Sequence, residues 1–168
     1  MRQTIEGLET NTALKSLWLG KNKIEAIEGL DTLTQLEQLD IQNNRLTALG
    51  NGLNALMQLQ ELYMACNKIP DLSFFPLLPC IRVIDFSTNG VLSVEGIDRN
   101  ASLEEVWLSS SALATYQDVE PLTKLPKLTC LYLEHSPIAK DFEYRKALTR
   151  SIPTLEQLDA TEVNRTII

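Results

Sequence analysis

Apolar residues recur along this chain in a unit that changes its period halfway through. The first unit reads Leu14-x-x-Leu17-x-Leu19-x-x-Asn22-x-Ile24, and related units begin at positions 36, 59, 81, 103, 128 and 155. The spacings between these starts are 22, 23, 22, 22, 25 and 27 residues. Apolar residues that alternate with exposed neighbours, as Leu17 and Leu19 do, predict a short strand with one buried face.

The second half of the unit follows a different period. After Asn22 an apolar residue stands at every third position, at Ile24, Ile27, Leu30, Leu33 and Leu36. A period of three fits a 3₁₀-like or extended return better than an α-helix. The complete unit resembles the leucine-rich repeat. We therefore expect an α/β fold, a right-handed leucine-rich repeat solenoid with a parallel concave sheet, short 3₁₀ turns on the convex side and a C-terminal helical cap.

An asparagine follows the strand in the first four units. These residues are Asn22, Asn44, Asn67 and Asn89. A carboxamide donates and accepts hydrogen bonds at once, so it can satisfy backbone groups of two adjacent coils. We expect a structural ladder here, weaker in the next two units, where Ser111 and Ser136 take the place of asparagine.

The length of the chain favours a single domain, residues 1–168. Residues 1–13 form half a repeat, because Ile5-Glu-Gly-Leu8 copies Ile27-Glu-Gly-Leu30 without a strand before it. This predicts a truncation, with further repeats upstream. Residues 14–138 hold about six repeats, and residues 139–168 form the C-terminal cap.

The predicted cap combines a helix and a strand. Tyr144, Leu148 and Ile152 recur at helical spacing, and Pro153 ends the helix. Leu155, Leu158 and Ala160 then form a last short strand.

Composition and charge narrow the class of partner. The formal net charge of −7 disfavours nucleic acid and anionic membranes. The N-terminus lacks the apolar core of a signal peptide, and no apolar run is long enough to span a bilayer. The three cysteines, Cys66, Cys80 and Cys130, have no metal-binding or redox spacing. They indicate free thiols in a reducing compartment, nucleus or cytoplasm.

The side chains between the apolar strand positions are expected to line the concave face. Their middle column reads Trp18, Asp40, Tyr63, Asp85, Trp107, Tyr132 and Asp159. Tryptophan and tyrosine dominate the energetics of many protein interfaces, so this mixture with carboxylates predicts a protein-binding strip.

Nothing in the sequence favours catalysis. The only histidine, His135, follows a strand and belongs to no serine–histidine–acid set. No glycine-rich phosphate loop or paired-ligand metal motif is present, and no cofactor is expected. An enzyme that uses the concave acids would need a closed pocket to shift their pKa values, which an open arc does not supply.

A closer resemblance rests on particular segments. They are Leu17-Trp-Leu-Gly-Lys-Asn-Lys-Ile24, Ile27-Glu-Gly-Leu30, Leu36-Glu-Gln-Leu-Asp-Ile-Gln-Asn-Asn-Arg-Leu46, Tyr132-Leu-Glu-His-Ser-Pro-Ile138, Tyr144-Arg-Lys and Gln157-Leu-Asp-Ala-Thr161. These segments resemble the leucine-rich-repeat regulatory subunit family of protein phosphatase-one. The resemblance covers nearly the whole chain and corresponds to the C-terminal portion of that family.

This resemblance implies a non-catalytic protein of nucleus and cytoplasm that binds the phosphatase catalytic subunit through its concave face. A ternary complex with an inhibitor protein of the phosphatase is also implied. Glu105, Trp107 and Tyr132 match the contact pattern best, and Trp18 and Asp85 also fit. Position alone adds Asp40, Glu61, Tyr63 and Glu134. The alternative is an adaptor of the same repeat class for another partner, of the spliceosomal or axonemal type.

Overall fold

The computed structural model describes residues 3–164, which wind through successive coils around a single sheet. Each coil contributes one short strand. The strands are β1 (Ser16–Trp18), β2 (Gln38–Asp40), β3 (Glu61–Tyr63), β4 (Val83–Asp85), β5 (Glu105–Trp107), β6 (Cys130–Tyr132), β7 (Gln157–Leu158) and β8 (Thr161–Glu162). Strands β1 to β7 lie parallel in chain order, and β8 pairs antiparallel with β7. The predicted parallel sheet is confirmed.

The strands are aligned residue for residue, which stacks equivalent side chains into columns. The central residue of each three-residue strand points into the core. Together with Leu158 of β7, these residues form one register column: Leu17, Leu39, Leu62, Ile84, Val106 and Leu131. Because side chains alternate along a strand, the residues on either side of this column face outward on the concave side.

The convex side returns through tight turns, as the period of three predicts. Three 3₁₀ turns span Ile97–Arg99, Glu120–Lys124 and Pro137–Lys140. In the first coil the return is built from single hydrogen-bonded turns, in which Leu33 N donates to Leu30 O and Leu36 N to Leu33 O. Both forms place every third residue inside the solenoid.

One apolar core runs through all the coils. The residues spaced by three in the first coil, from Ile24 to Leu36, are almost fully buried, and so are their counterparts in later coils. Leu14, Leu17 and Leu19 are only half-buried. Within the described residues β1 pairs with β2 alone, so the strand of the first coil has a neighbour on one side only.

Asparagine side chains form hydrogen bonds between adjacent coils. Asn67 Oδ1 accepts a hydrogen bond from Leu46 N at 3.0 Å, and its Nδ2 donates to Ile41 O at 3.1 Å and Met64 O at 2.9 Å. Asn44 and Asn89 make the equivalent bonds one coil earlier and one coil later. Asn22 is half-buried and donates to the carbonyl oxygens of Leu19 and Gly20. Asn44, Asn67 and Asn89 therefore each fasten a coil to the one before it.

Serine continues the ladder through a shorter connection. The hydroxyl groups of Ser111 and Ser136 lie 2.8 Å apart, and Ser136 Oγ also accepts from Ser111 N at 3.1 Å. Both side chains are buried. A hydroxyl carries one proton where a carboxamide carries two, so each serine donates to fewer carbonyl groups than the asparagine that it replaces.

The cap differs from the expectation at its last strand. Helix α1 spans Tyr144–Ser151 and ends before Pro153, as predicted. Ala160 does not extend β7, because Asp159 adopts a φ of 55° and turns the chain after Leu158. Strand β8 follows this turn and was not predicted. The guanidinium of Arg145 fastens the hairpin to α1 by donating to Leu158 O and Thr161 O. Residues 165–168 of the predicted cap lie outside the described residues.

Candidate functional site

The strand register brings six residues of the predicted concave column side by side. Trp18 pairs with Asp40, and the series continues through Tyr63, Asp85 and Trp107 to Tyr132. These six residues therefore lie in one column of the sheet. The first residue of each strand forms a second column beside this one. In it Glu61 and Glu105 pair with Val83 from opposite sides.

Asp159 does not continue the column, contrary to the expectation. Its Oδ1 accepts hydrogen bonds from Leu133 N at 2.8 Å and Glu134 N at 2.9 Å, and Tyr144 Oη donates to its Oδ2 at 3.1 Å. The carboxylate caps the backbone after β6 and links it to helix α1. This side chain therefore stabilises the cap and does not belong to the concave surface.

The aromatic residues at the centre of the column form a continuous row. The ring of Trp107 lies 6.4 Å from that of Tyr63 and 5.8 Å from that of Tyr132, measured between centroids. Tilted contacts at these distances are favourable for aromatic pairs. Trp18 stands apart from the row and is 66% exposed. We call Tyr63, Trp107 and Tyr132 the aromatic row.

Asp85 lies beneath this row, so its expected exposure is wrong. It stands between Tyr63 and Trp107 in the register, and the two rings approach each other across it. The residue is 7% exposed, and its Oδ1 accepts a hydrogen bond from Ser87 N at 2.8 Å. Asp85 therefore holds the backbone after β4 and supplies negative charge from below the rings.

The other concave carboxylates are half-buried and remain accessible. Glu61 Oε2 accepts hydrogen bonds from Gln38 Nε2 at 2.7 Å and from Tyr63 Oη at 3.0 Å. Asp40 accepts from the backbone and the side chain of Gln42. Among residues 3–164, none of the five ion pairs involves Asp40, Glu61, Glu105 or Glu134. Within residues 3–164 none of these carboxylates has a cation at ion-pair distance. Arg82, which is paired with Glu104, attracts Glu61 and Glu105 only from further away.

This negative charge acts on the tyrosine within the row. The pKa of Tyr63 rises to about 12, first because burial disfavours the phenolate. The hydrogen bond to Glu61 and the charges of Glu61, Glu105 and Asp85 raise it further. The part of the shift that comes from these carboxylates reflects a local negative potential, which attracts cationic groups.

A small apolar cleft opens beside the row. It is lined by Ser87, Trp107, Ser109 and Tyr132 and has a volume of about 240 Å³. The Nε1 donor of Trp107 is buried and meets no oxygen or nitrogen acceptor in the described residues. The thiol of Cys130, in the adjacent strand, lies beside it. The cleft is a place where a partner side chain can pack against Trp107.

Gln157 is a contact of the row that the sequence analysis did not single out. Its Nε2 donates to Tyr132 Oη and, at 3.0 Å, to Asp159 O, which ties the phenol to the cap. The strand register indicates this contact, because Gln157 is the direct neighbour of Cys130 in β6. Gln157 thus holds the outer end of the aromatic row.

The half-buried thiol of Cys130 beside Trp107 gives a chemical test of this arrangement. Burial, and to a lesser degree the charge of Glu105, raises the pKa of Cys130 to about 11. At pH 8 only about 0.1% of this thiol is then ionised, and the thiolate is the reactive form. We expect iodoacetamide to modify the exposed Cys66 well before Cys130, which peptide mass spectrometry measures. Equal rates at the two cysteines would contradict the placement of Cys130.

Residues 3–164 were also compared with the requirements of a metal site and of a membrane-spanning helix. No group of three or more histidine, cysteine, aspartate or glutamate side chains within residues 3–164 is arranged to hold a metal ion. In the same part of the chain, no helix combines the length and the apolar character that crossing a membrane requires.

Curated proteins that resemble this chain have several different names. It is 37% identical over 76 residues to protein phosphatase 1 regulatory subunit pprA of Dictyostelium discoideum, covering 45% of this chain and 22% of that protein. It is 30% identical over 106 residues to U2 small nuclear ribonucleoprotein A' of Emericella nidulans, covering 62% and 46%. It is 27% identical over 95 residues to human cilia- and flagella-associated protein 410, covering 55% and 37%. The chain spans less than half the length of these relatives.

Solved structures share the architecture. In the crystal structure of the Drosophila melanogaster SNF/U2A' complex, the similar chain has a TM-score of 0.64 and 24% identity, covering 90% of this chain and 75% of that one. The Leptospira interrogans leucine-rich repeat protein LIC12759 has a TM-score of 0.72 and 22% identity, covering 86% and 36%. At these identities the likeness shows the fold alone.

Family comparison identifies the repeat itself. The family described as "Leucine-rich repeat" matches residues 55–166, and the family "Leucine Rich repeats (2 copies)" matches residues 12–55. Proteins of this kind are scaffolds that bind other proteins, and neither family describes a catalytic domain. With a match across most of its length, a stacked parallel sheet and an asparagine ladder, this chain belongs to the leucine-rich repeat family.

Proposed function

We propose that this scaffold is a regulatory or targeting subunit of protein phosphatase-one and binds the catalytic subunit through its concave face. The observation that carries the proposal is the aromatic row Tyr63–Trp107–Tyr132, which lies among carboxylates that form no ion pair within residues 3–164. Similarity to a protein named as a phosphatase regulatory subunit supports the choice of partner. The chain itself performs no chemistry.

The chemistry of the face determines what it binds. Aromatic rings provide large, rigid apolar contacts, and the carboxylates around them select for lysine and arginine side chains. Trp107 stands at the centre of the row, where a partner excludes water most completely. Glu61 and Glu105 flank it, and Asp85 adds charge from beneath. Trp18, Asp40 and Glu134 extend the contact towards the two ends of the sheet.

The remaining parts of the proposal follow from the same family resemblance. An inhibitor protein of the phosphatase joins the complex as a third component. The complex is present in the nucleus and the cytoplasm, where the three thiols remain reduced. Neither nucleic acid nor a membrane surface takes part, because both repel a chain with a net charge of −7.

Replacing Trp107 by alanine tests the proposal. We expect the substitution to weaken binding of the phosphatase catalytic subunit by about 2 kcal/mol, or roughly 30-fold, because it removes the central ring of the row. Isothermal titration calorimetry with the purified catalytic subunit measures the change. The matched control is Phe74→Ala, which removes a ring that is 82% exposed on the convex side. Equal affinities for the two variants would contradict binding through the concave face.

The second candidate is an adaptor for another partner, of the spliceosomal or axonemal type. It is favoured by the match to U2 small nuclear ribonucleoprotein A', which covers more of this chain than the match to pprA does. The concave face would serve either partner. Affinity capture with the wild-type chain and Trp107→Ala in parallel separates the two candidates. A spliceosomal or axonemal protein captured only by the wild type, with no phosphatase, would favour the adaptor.

A further inference from the structure

Helix α1 in the cap is basic, although the protein as a whole is acidic. Helix α1 contains three basic side chains, Arg145, Lys146 and Arg150, and no acidic one. The chain as a whole has a net charge of −7. Tyr144 and Leu148 occupy the buried face of α1, so the basic residues project from its other faces. A cationic surface in an acidic protein attracts anionic partners selectively.

These side chains line a groove with an apolar wall, which we call the cap groove. It is formed by Phe142, Arg145, Lys146, Thr149, Arg150, Val163 and Asn164 and has a volume of about 460 Å³. Phe142 lies just ahead of α1 and is 93% exposed. Lys146 and Arg150 are four residues apart in α1, so they lie on one side of the helix. None of the groove residues belongs to the concave columns.

The positive charge of the groove is available to a ligand. The guanidinium of Arg145 donates to neutral carbonyl groups at Leu158, Thr161 and Glu162, so these contacts fix its position without cancelling its charge. Lys146 forms an ion pair with Glu143 at 3.2 Å, but both side chains are half-exposed. Such a surface pair contributes little and exchanges readily with another carboxylate.

We propose that the cap groove binds an acidic peptide segment of a partner protein, anchored by one large apolar side chain. The anchor packs against Phe142 and Val163, and carboxylates on either side of it pair with Lys146 and Arg150. The groove shares no residue with the aromatic row, although Val163 also borders the depression that contains Glu105 and Cys130. The scaffold can therefore hold an acidic segment at its cap while another partner occupies the aromatic row, and this second site does not depend on the identity of that partner.

The test uses a fluorescein-labelled peptide of alternating aspartate and glutamate with one central leucine, followed by fluorescence polarisation at physiological salt. We expect the double variant Lys146→Glu/Arg150→Glu to bind it about tenfold more weakly than the wild type, because two attractive charges become repulsive. The wild-type protein should bind a peptide with alanine in place of leucine about fivefold more weakly than the leucine peptide. The variant Phe142→Ser should bind the leucine peptide about fivefold more weakly than the wild type does. Thermal unfolding of each variant verifies that the fold is kept.

The matched control is Lys68→Glu/Lys124→Glu, which changes the net charge equally at exposed positions outside the groove. It should leave the affinity within about twofold of the wild type. An equal loss of peptide affinity in both double variants would show that net charge alone causes the effect, and it would overturn the proposal. Tighter binding of a polyuridine oligonucleotide than of the peptide would overturn it in favour of nucleic acid. No change in polarisation at the highest wild-type concentration would also overturn it.

Discussion

Replacing Gly52 by alanine should lower the free energy of unfolding by about 4 kcal/mol, because two coils touch at this residue. A Cβ atom on Gly52 would lie 2.0 Å from Ile27 O and 2.6 Å from Ile27 C, both of them backbone atoms of the preceding coil. Neither atom can move by rotation of a side chain. The coils would have to separate by more than an ångström, which would stretch the hydrogen bonds and loosen the apolar contacts between them.

Urea denaturation followed by circular dichroism measures this effect, and Gly50→Ala is its control. Gly50 lies two residues away, and a Cβ atom there would meet nothing within 4 Å. Its φ of 58° makes alanine cost about 1 kcal/mol through the backbone alone. The difference between the two variants therefore isolates the contact between coils. A difference below about 1 kcal/mol would contradict the close packing at Gly52.

The two periods of the sequence were sufficient to predict most of the architecture. Apolar alternation located each strand, and the spacing of three from Ile24 to Leu36 located the tight convex turns. Both signals are local and repeated, so every copy supports the others. Strand β8 gave no such signal, because two exposed residues, Thr161 and Glu162, contain no alternation. The need for glycine at position 52 depends on an atom of Ile27, 25 residues earlier, and is invisible locally.

The candidate site was predictable in position but not in detail. The register follows from the repeat, so Trp18 and Tyr132 were placed in one column correctly. Burial of Asp85 depends on two rings that lean together from strands on either side of it. The role of Asp159 depends on a backbone turn and on amide groups of the preceding coil. These outcomes depend on side-chain geometry across coils, which a pattern of residue types does not contain.

Replacing Asn67 by alanine should lower the free energy of unfolding by about 3 kcal/mol, because several buried backbone groups lose their partner together. Leu46 N loses its acceptor, and the carbonyl groups of Ile41 and Met64 lose a donor. The site is too enclosed for water to replace the carboxamide, since Asn67 is 8% exposed. Urea denaturation measures the loss. Asn54→Ala removes an exposed carboxamide and should change stability by less than about 0.5 kcal/mol.

The variant Asn67→Asp separates the two halves of the interaction. A carboxyl group of the same shape keeps an acceptor for Leu46 N, but its second oxygen faces the carbonyl oxygens of Ile41 and Met64. Burial and these oxygens raise its pKa in the folded state above the value of about 3.9 in the unfolded chain. The folded protein then binds more protons than the unfolded chain as pH rises above that value, so stability falls with pH. Relative to wild type, Asn67→Asp should lose more stability at pH 7 than at pH 4.5. An equal loss at both values would mean that the amide protons of Asn67 contribute little to the ladder.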